Sequence, residues 1–133
     1  LILFNEAGVP CVFWGDLLGS PESDDLPAVR ELPILMELRA RAAVGPQHNA
    51  FDDPDVVGFA REGKDKIPGS GCAVILSDRM AAEKTLYVGT RHAGQEWECV
   101  IGGHRAVHVA DDGTLTGVVS DGGLSVYVPR RSA

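Results

Sequence analysis

The chain has 133 residues, enough for about one domain with a single core, and its 44% apolar and 23% charged content lies in the globular range. A formal charge of −7, with no block of five or more like charges, excludes both a basic footprint for nucleic acid and an acidic interaction tail. Sixteen glycines and eight prolines favour many turns over long helices, and no apolar run approaches the ~20 residues of a membrane-spanning helix.

Leu1 opens the chain inside an apolar run, Leu1-Ile2-Leu3-Phe4, so the sequence is expected to begin within a longer protein. Residues 10–14, bounded by Gly8 and Gly15, form a short continuous apolar run of the kind buried on both faces of a parallel sheet. The polar stretch 15–32, with Ser20, Pro21, Ser23, Asp24, Asp25 and Pro27, reads as a loop. Pro33 suits the first position of a helix, Leu35, Leu38 and Ala42 recur at helical spacing, and Glu37 and Arg41 stand four apart. Strand, loop and helix together predict one βα unit. Gly45-Pro46 ends it and marks a domain junction.

Beyond the junction the period changes. Runs at 56–61, 72–76, 84–88, 96–101, 106–110, 115–119 and 124–128 are rich in Val, Ile, Tyr and Trp. They are separated by Gly69-Ser70-Gly71, Ala93-Gly94, Gly102-Gly103, Asp111-Asp112-Gly113 and Asp121-Gly122-Gly123, which supply the positive φ angles of tight turns. Short strands at this density predict an antiparallel β-sandwich.

Few chemical constellations survive inspection. Gly69-x-Gly71 lacks the Gly-Lys-Ser/Thr of a phosphate loop, and no Gly-x-Ser-x-Gly elbow is present. His104 and His108 are predicted to share a strand face but lack a third metal ligand. Asp16 follows the predicted buried strand at the end where barrel enzymes carry chemistry, although a turn residue is the simpler reading. Asp52, Asp53, Asp55 and Asp78 supply hard oxygens from two loops and could chelate Ca²⁺, the alternative being a solvated acidic loop. Cys11, Cys72 and Cys99 lie in apolar runs and read as small hydrophobes. Trp97 and Tyr127 read as core residues, their other role being platforms for sugar rings.

Several blocks occur in one order: Val9-Pro10-Cys11-Val12-Phe13-Trp14-Gly15-Asp16, Phe51-Asp52-x-x-Asp55-Val56-Val57-Gly58-Phe59-x-Arg61-Glu62-Gly63, Ser70-Gly71-Cys72-Ala73-Val74-Ile75-Leu76-Ser77-Asp78, Leu86-Tyr87-Val88-Gly89 and Gly122-Gly123-Leu124-Ser125-Val126-Tyr127-Val128. Together they resemble the C-terminal part of the bacterial liquefying and related fungal α-amylases, over almost the whole chain. The resemblance implies an α/β plus all-β fold: the last βα unit of a (β/α)8 TIM barrel followed by an antiparallel Greek-key β-sandwich. Residues 1–46 would close the barrel, with the end of the seventh helix at 1–6, the eighth strand at 9–14 and the eighth helix at 33–44. Residues 50–133 would form the sandwich.

The activity implied for the parent is hydrolysis of internal α-1,4 bonds of starch and glycogen with retention, by an aspartate nucleophile, a glutamate acid/base and a second aspartate on earlier barrel strands. None of those acids falls in this chain, so no catalytic residue is assigned and the chain alone is expected to be inactive. Starch, glycogen or malto-oligosaccharides would bind through the barrel. The resemblance also implies a Ca²⁺ between barrel and sandwich held by the Pro54 carbonyl, Asp55 and Asp78, with its other ligands outside this chain. Trp14, Leu18, Ala50 and Phe59 stand where the family more often has Tyr, Tyr, Tyr and Trp. The similar fungal enzymes and the unpaired cysteines point to the cytoplasm, with secretion as the alternative because the expected upstream part of the protein is not in view. A non-catalytic carbohydrate-binding or structural sandwich is the alternative.

Overall fold

The computed structural model describes Phe4 and residues 32–51, 55–78, 81–120 and 123–130. The expected barrel strand at 9–14, the loop after it, Asp16 and Cys11 lie outside the described residues.

Helix α1 (Leu32–Arg41) is followed by β1 (Gln47–Ala50), β2 (Val56–Arg61), β3 (Cys72–Ser77), β4 (Ala82–Tyr87), a 3-10 turn (Thr90–His92), β5 (Glu96–Ile101), β6 (Val107–His108), β7 (Thr114–Val119) and β8 (Leu124–Pro129). Among the described residues these make a six-stranded sheet in the order β1-β2-β3-β8-β5-β6 and a two-stranded sheet, β4-β7. All pairings are antiparallel. The sandwich expected from the sequence is therefore present in two layers. The expected strands at 56–61 and 96–101 coincide with β2 and β5, whereas 106–110 contracts to Val107–His108. His104 falls in the loop before β6, with Ser120 Oγ 3.3 Å from its Nε2, so it does not share a strand face with His108. Strand β1 precedes the residues expected to start the sandwich. Its sequence, Gln-His-Asn-Ala, is polar and sits at the sheet edge, where no apolar alternation is required.

The central strands are buried on both faces, and each face has its own core. Ala73 and Ile75 of β3, Tyr127 of β8 and Val56 and Ala60 of β2 turn towards β4 and β7, meeting Leu86, Val88, Leu115 and Val119. The alternate residues Cys72, Val74, Val126, Val128 and Phe59 turn the other way and meet Leu38, Ala42 and Ala43 at the end of α1, together with Phe4. Strand β5 contributes to both cores through a bulge: Cys99 pairs with Tyr127, but Ile101, not Val100, pairs with Val126. One extra residue reverses the alternation, so Trp97 lies in the first core and Ile101 in the second.

The layers are also joined by hydrogen bonds. Val118 of β7 donates its N–H to Tyr127 Oη (2.9 Å), and its carbonyl accepts from Ser125 Oγ (2.6 Å), so β8 side chains satisfy the backbone of the smaller sheet. A Cβ at Gly117 would stand 2.7 Å from Tyr127 Cε2, which accounts for glycine at that approach.

Helix α1 is fastened just past its end. Gly63 and Gly71 donate backbone N–H groups to the Val44 and Ala42 carbonyls (2.9 and 2.8 Å), and Glu62 donates to Pro46 (3.0 Å). Arg61, only 7% exposed, donates from Nε to the Gly45 carbonyl (2.8 Å) and from Nη1 to the Phe4 carbonyl (2.9 Å). Gly45 has φ +83°, and a Cβ there would lie 2.2 Å from the Gly63 carbonyl oxygen. Gly94 has a similar φ of +78° with nothing within 4 Å of an added Cβ. In urea titrations Gly94→Ala should therefore cost only the left-handed backbone penalty, about 1–2 kcal/mol, whereas Gly45→Ala should cost roughly 1–3 kcal/mol more from overpacking. Equal losses would show that the contact between residues 45 and 63 is not tight.

Candidate functional site

The expected calcium ligands lie at one end of β2 and β3. Val56 and Ser77 are paired in register, and one step outward the Asp78 N–H donates to the Asp55 carbonyl at 3.1 Å. The fold thus brings the two aspartates together from separate loops. Asp78 is exposed and Asp55 half-buried, while Pro54 lies outside the described residues. Among the described residues no group of three or more His, Cys, Asp or Glu side chains gathers as a metal centre. Asp residues suit a hard cation in kind, but two of them, joined here through the backbone, fall short of the roughly six to eight oxygens that Ca²⁺ takes.

The two aromatic residues considered as sugar platforms are packed inside. Trp97 and Tyr127 are both 0% exposed, and burial pushes the Tyr127 phenol above its ordinary range. Among the described residues the half-exposed aromatics are Phe51, at 49%, and Tyr87, at 40%, whose ring stands edge-on to His48 at 4.9 Å. Strand alternation carries the signal for this: Leu86 and Val88 point inward, so Tyr87 between them points out.

At the opposite end of β2 and β3, the loop after β2 and the 3-10 turn enclose an open cleft of about 220 Å³, lined among others by Glu62, Lys64, Asp65, Ser70, Arg91 and His92. Ser70 closes the loop by accepting the Lys64 N–H (2.8 Å) and donating to the Lys64 carbonyl (3.1 Å). Arg91 bonds Asp65 Oδ1 at 2.8 Å and also the Gly63 carbonyl. His48 Nε2 meets Glu62 Oε2 at 2.8 Å. The buried His92 spans from the Glu62 carbonyl to Gln95. Sequence reasoning missed this cluster because its members come from a Gly-rich loop and a three-residue turn, which have no period.

Both described cysteines are free thiols. Burial pushes the Cys72 thiol up to about 12, against the opposing pull of nearby Arg61, which keeps it an inert core group. Cys99 donates its thiol to the Ile101 carbonyl at 3.0 Å, inside the β5 bulge.

No family model matches the chain. Among curated proteins, an α-amylase of Geobacillus stearothermophilus is 36% identical over 98% of this chain and 24% of its own length. An α-amylase of Bacillus licheniformis is 34% identical over 97% of the chain and 26% of its own length. Among solved structures, an Anoxybacillus α-amylase superposes with a TM-score of 0.64 at 18% identity, covering 98% of this chain and 31% of that one. AmyP in complex with maltotriose superposes with a TM-score of 0.54 at 14% identity, covering 87% of this chain and 23% of that one. At those identities the structures show a shared fold. The chain spans about a quarter of the curated relatives it matches, and over nearly all of its own length it is a relative of the α-amylases.

Proposed function

We propose that this chain is the C-terminal portion of an α-amylase, comprising the end of the catalytic barrel and the sandwich that follows it. The observation that carries the reading is the 36% identity over 98% of the chain to an α-amylase, supported by the common fold. The parent hydrolyses internal α-1,4 bonds of starch or glycogen with retention, using acids carried on barrel strands outside this chain. The maltotriose complex of the structural neighbour AmyP supports short α-glucans as ligands of the parent. The role of the sandwich in this reading is to cover and stabilise the barrel, and its free buried thiol agrees with a cytoplasmic setting.

Calcium belongs to the same reading. The carboxylates of Asp55 and Asp78 and the Pro54 carbonyl supply part of the coordination sphere, and barrel oxygens complete it. The adjacency of residues 55 and 78 supports this assignment. A cation so placed cross-links sandwich and barrel.

Two experiments test the proposal. The parent, expressed with its upstream sequence, should release α-anomeric malto-oligosaccharides from soluble starch, followed by NMR of the first product, while the isolated chain releases none. Turnover by the isolated chain, or none by the parent, would contradict the reading. Chelation should lower the thermal midpoint of the parent by removing on the order of 3–4 kcal/mol of stability where calcium had been present at hundreds of times its Kd. The double variant Asp55→Asn with Asp78→Asn should lose that response, and a variant still fully responsive would place calcium elsewhere.

A further inference from the structure

The layers of the fold run from α1 through the six-stranded sheet to β4 and β7, so the outer face of the two-stranded sheet lies on the side away from the helix. Tyr87 of β4 points out from that face, between the inward Leu86 and Val88. Its ring is held in place by the His48 ring of β1, which stands perpendicular to it (83°) with centroids 4.9 Å apart. His48 is fixed in turn by Glu62, Nε2 to Oε2 at 2.8 Å, and Glu62 also lines the cleft of about 220 Å³ beside the 3-10 turn. Gly89, two residues beyond Tyr87, has φ +112°, and a Cβ there would come 2.6 Å from Glu62 Oε1. An oriented, half-exposed aromatic ring and a polar cleft therefore meet at one carboxylate.

The cleft is balanced in charge: the carboxylates of Glu62 and Asp65 are matched by the cationic side chains of Lys64 and Arg91. Asp65 Oδ1 lies 2.8 Å from Arg91 Nη1, yet the Asp65 side chain is 93% exposed and that of Arg91 34%, so both keep hydrogen-bonding capacity towards the opening. A phosphate or a nucleic-acid strand needs a net positive lining, which is absent here among the described residues. A wholly apolar ligand would leave these donors and acceptors without partners. The ligand that fits is neutral, carries hydroxyls that both donate and accept, and has an apolar face for the ring. A pyranose sugar has all three properties.

We propose that Tyr87, His48 and the cleft beside Glu62 form a binding site for a chain of glucose units. One sugar stacks on the Tyr87 ring, and its neighbour turns hydroxyls towards Glu62, Asp65 and Arg91. The α-1,4 linkage of that chain rests on the reading of the parent as an α-amylase. The sandwich then holds the polymer on its outer layer in addition to bracing the barrel through α1. Trp97 and Tyr127, buried in the core, take no part in this contact.

Maltohexaose is the probe. Titrated into the ¹⁵N-labelled 133-residue chain, it should shift the backbone amides of His48, Tyr87 and Arg91. Tyr87→Ala, and Tyr87→Leu, which keeps apolar bulk on the strand, should each weaken binding by about tenfold or more, while Tyr87→Phe binds as the original chain does. No binding in the millimolar range, or binding that loss of the ring leaves intact, would overturn the proposal. A second measurement uses the parent expressed with its upstream sequence: Tyr87→Ala should adsorb to starch granules several-fold more weakly than the unsubstituted parent, and equal adsorption would also overturn it. Failure here is separable from failure of the α-amylase reading. Starch hydrolysis by the parent with no maltohexaose bound by the chain overturns this site alone, whereas binding by the chain with no hydrolysis by the parent upholds the site and contradicts that reading.

Discussion

A sheet that is apolar on both faces must be covered twice, and the rest of this structure follows from that constraint. Strands β2, β3 and β8 carry apolar side chains at successive positions, so neither face can be left to water. Each large side chain so buried contributes on the order of 1.5–3 kcal/mol. The two-stranded sheet covers one face, and α1 with Phe4 covers the other. Helix and sandwich therefore share a core, even though the helix ends at Arg41, short of the expected residue 44, and the chain turns through Gly45 and Pro46 between them. The hydrogen bonds of Arg61 to the carbonyls of Phe4 and Gly45 reinforce the same junction from within β2.

This packing bears on function. In the reading proposed above, the sandwich and the helix before it would close and brace the barrel of the parent. The two ends of β2 and β3 are specialised differently. At one end Asp55 and Asp78 meet through a backbone hydrogen bond, and the other end holds the cleft around His92. The aromatic side chains that a sugar-binding surface would need at Trp97 and Tyr127 are spent on packing instead.

Much of the sandwich was legible because the two-residue alternation and the glycine turns point the same way. The boundaries of β2 and β5 coincide with apolar runs that stop at charged or Gly-rich residues. Strand β1 was not legible, since an edge strand of Gln, His, Asn and Ala is held by pairing with β2 and not by its own burial. The β5 bulge was equally invisible, because Cys99, Val100 and Ile101 are all apolar and no pattern says which one loses its partner. The residue types offered Asp52, Asp53, Asp55 and Asp78 as one set with a solvated loop as the alternative, and the family resemblance singled out Asp55 and Asp78 from it. The environment of His92 depends on a carbonyl, an amide and an indole from separate segments, which no local pattern encodes.

The shared core is the claim on which this account rests, and native-state hydrogen exchange measures it most directly. The Ala42 N–H, bonded to the Leu38 carbonyl at the end of α1, should exchange with the same opening free energy as amides in β3 and β8, because uncovering the sheet face and losing the helix are one event. Exchange of the Ala42 amide near the rate of an unfolded chain, with β3 and β8 still protected, would show that the sandwich stands without its helix and would contradict the account.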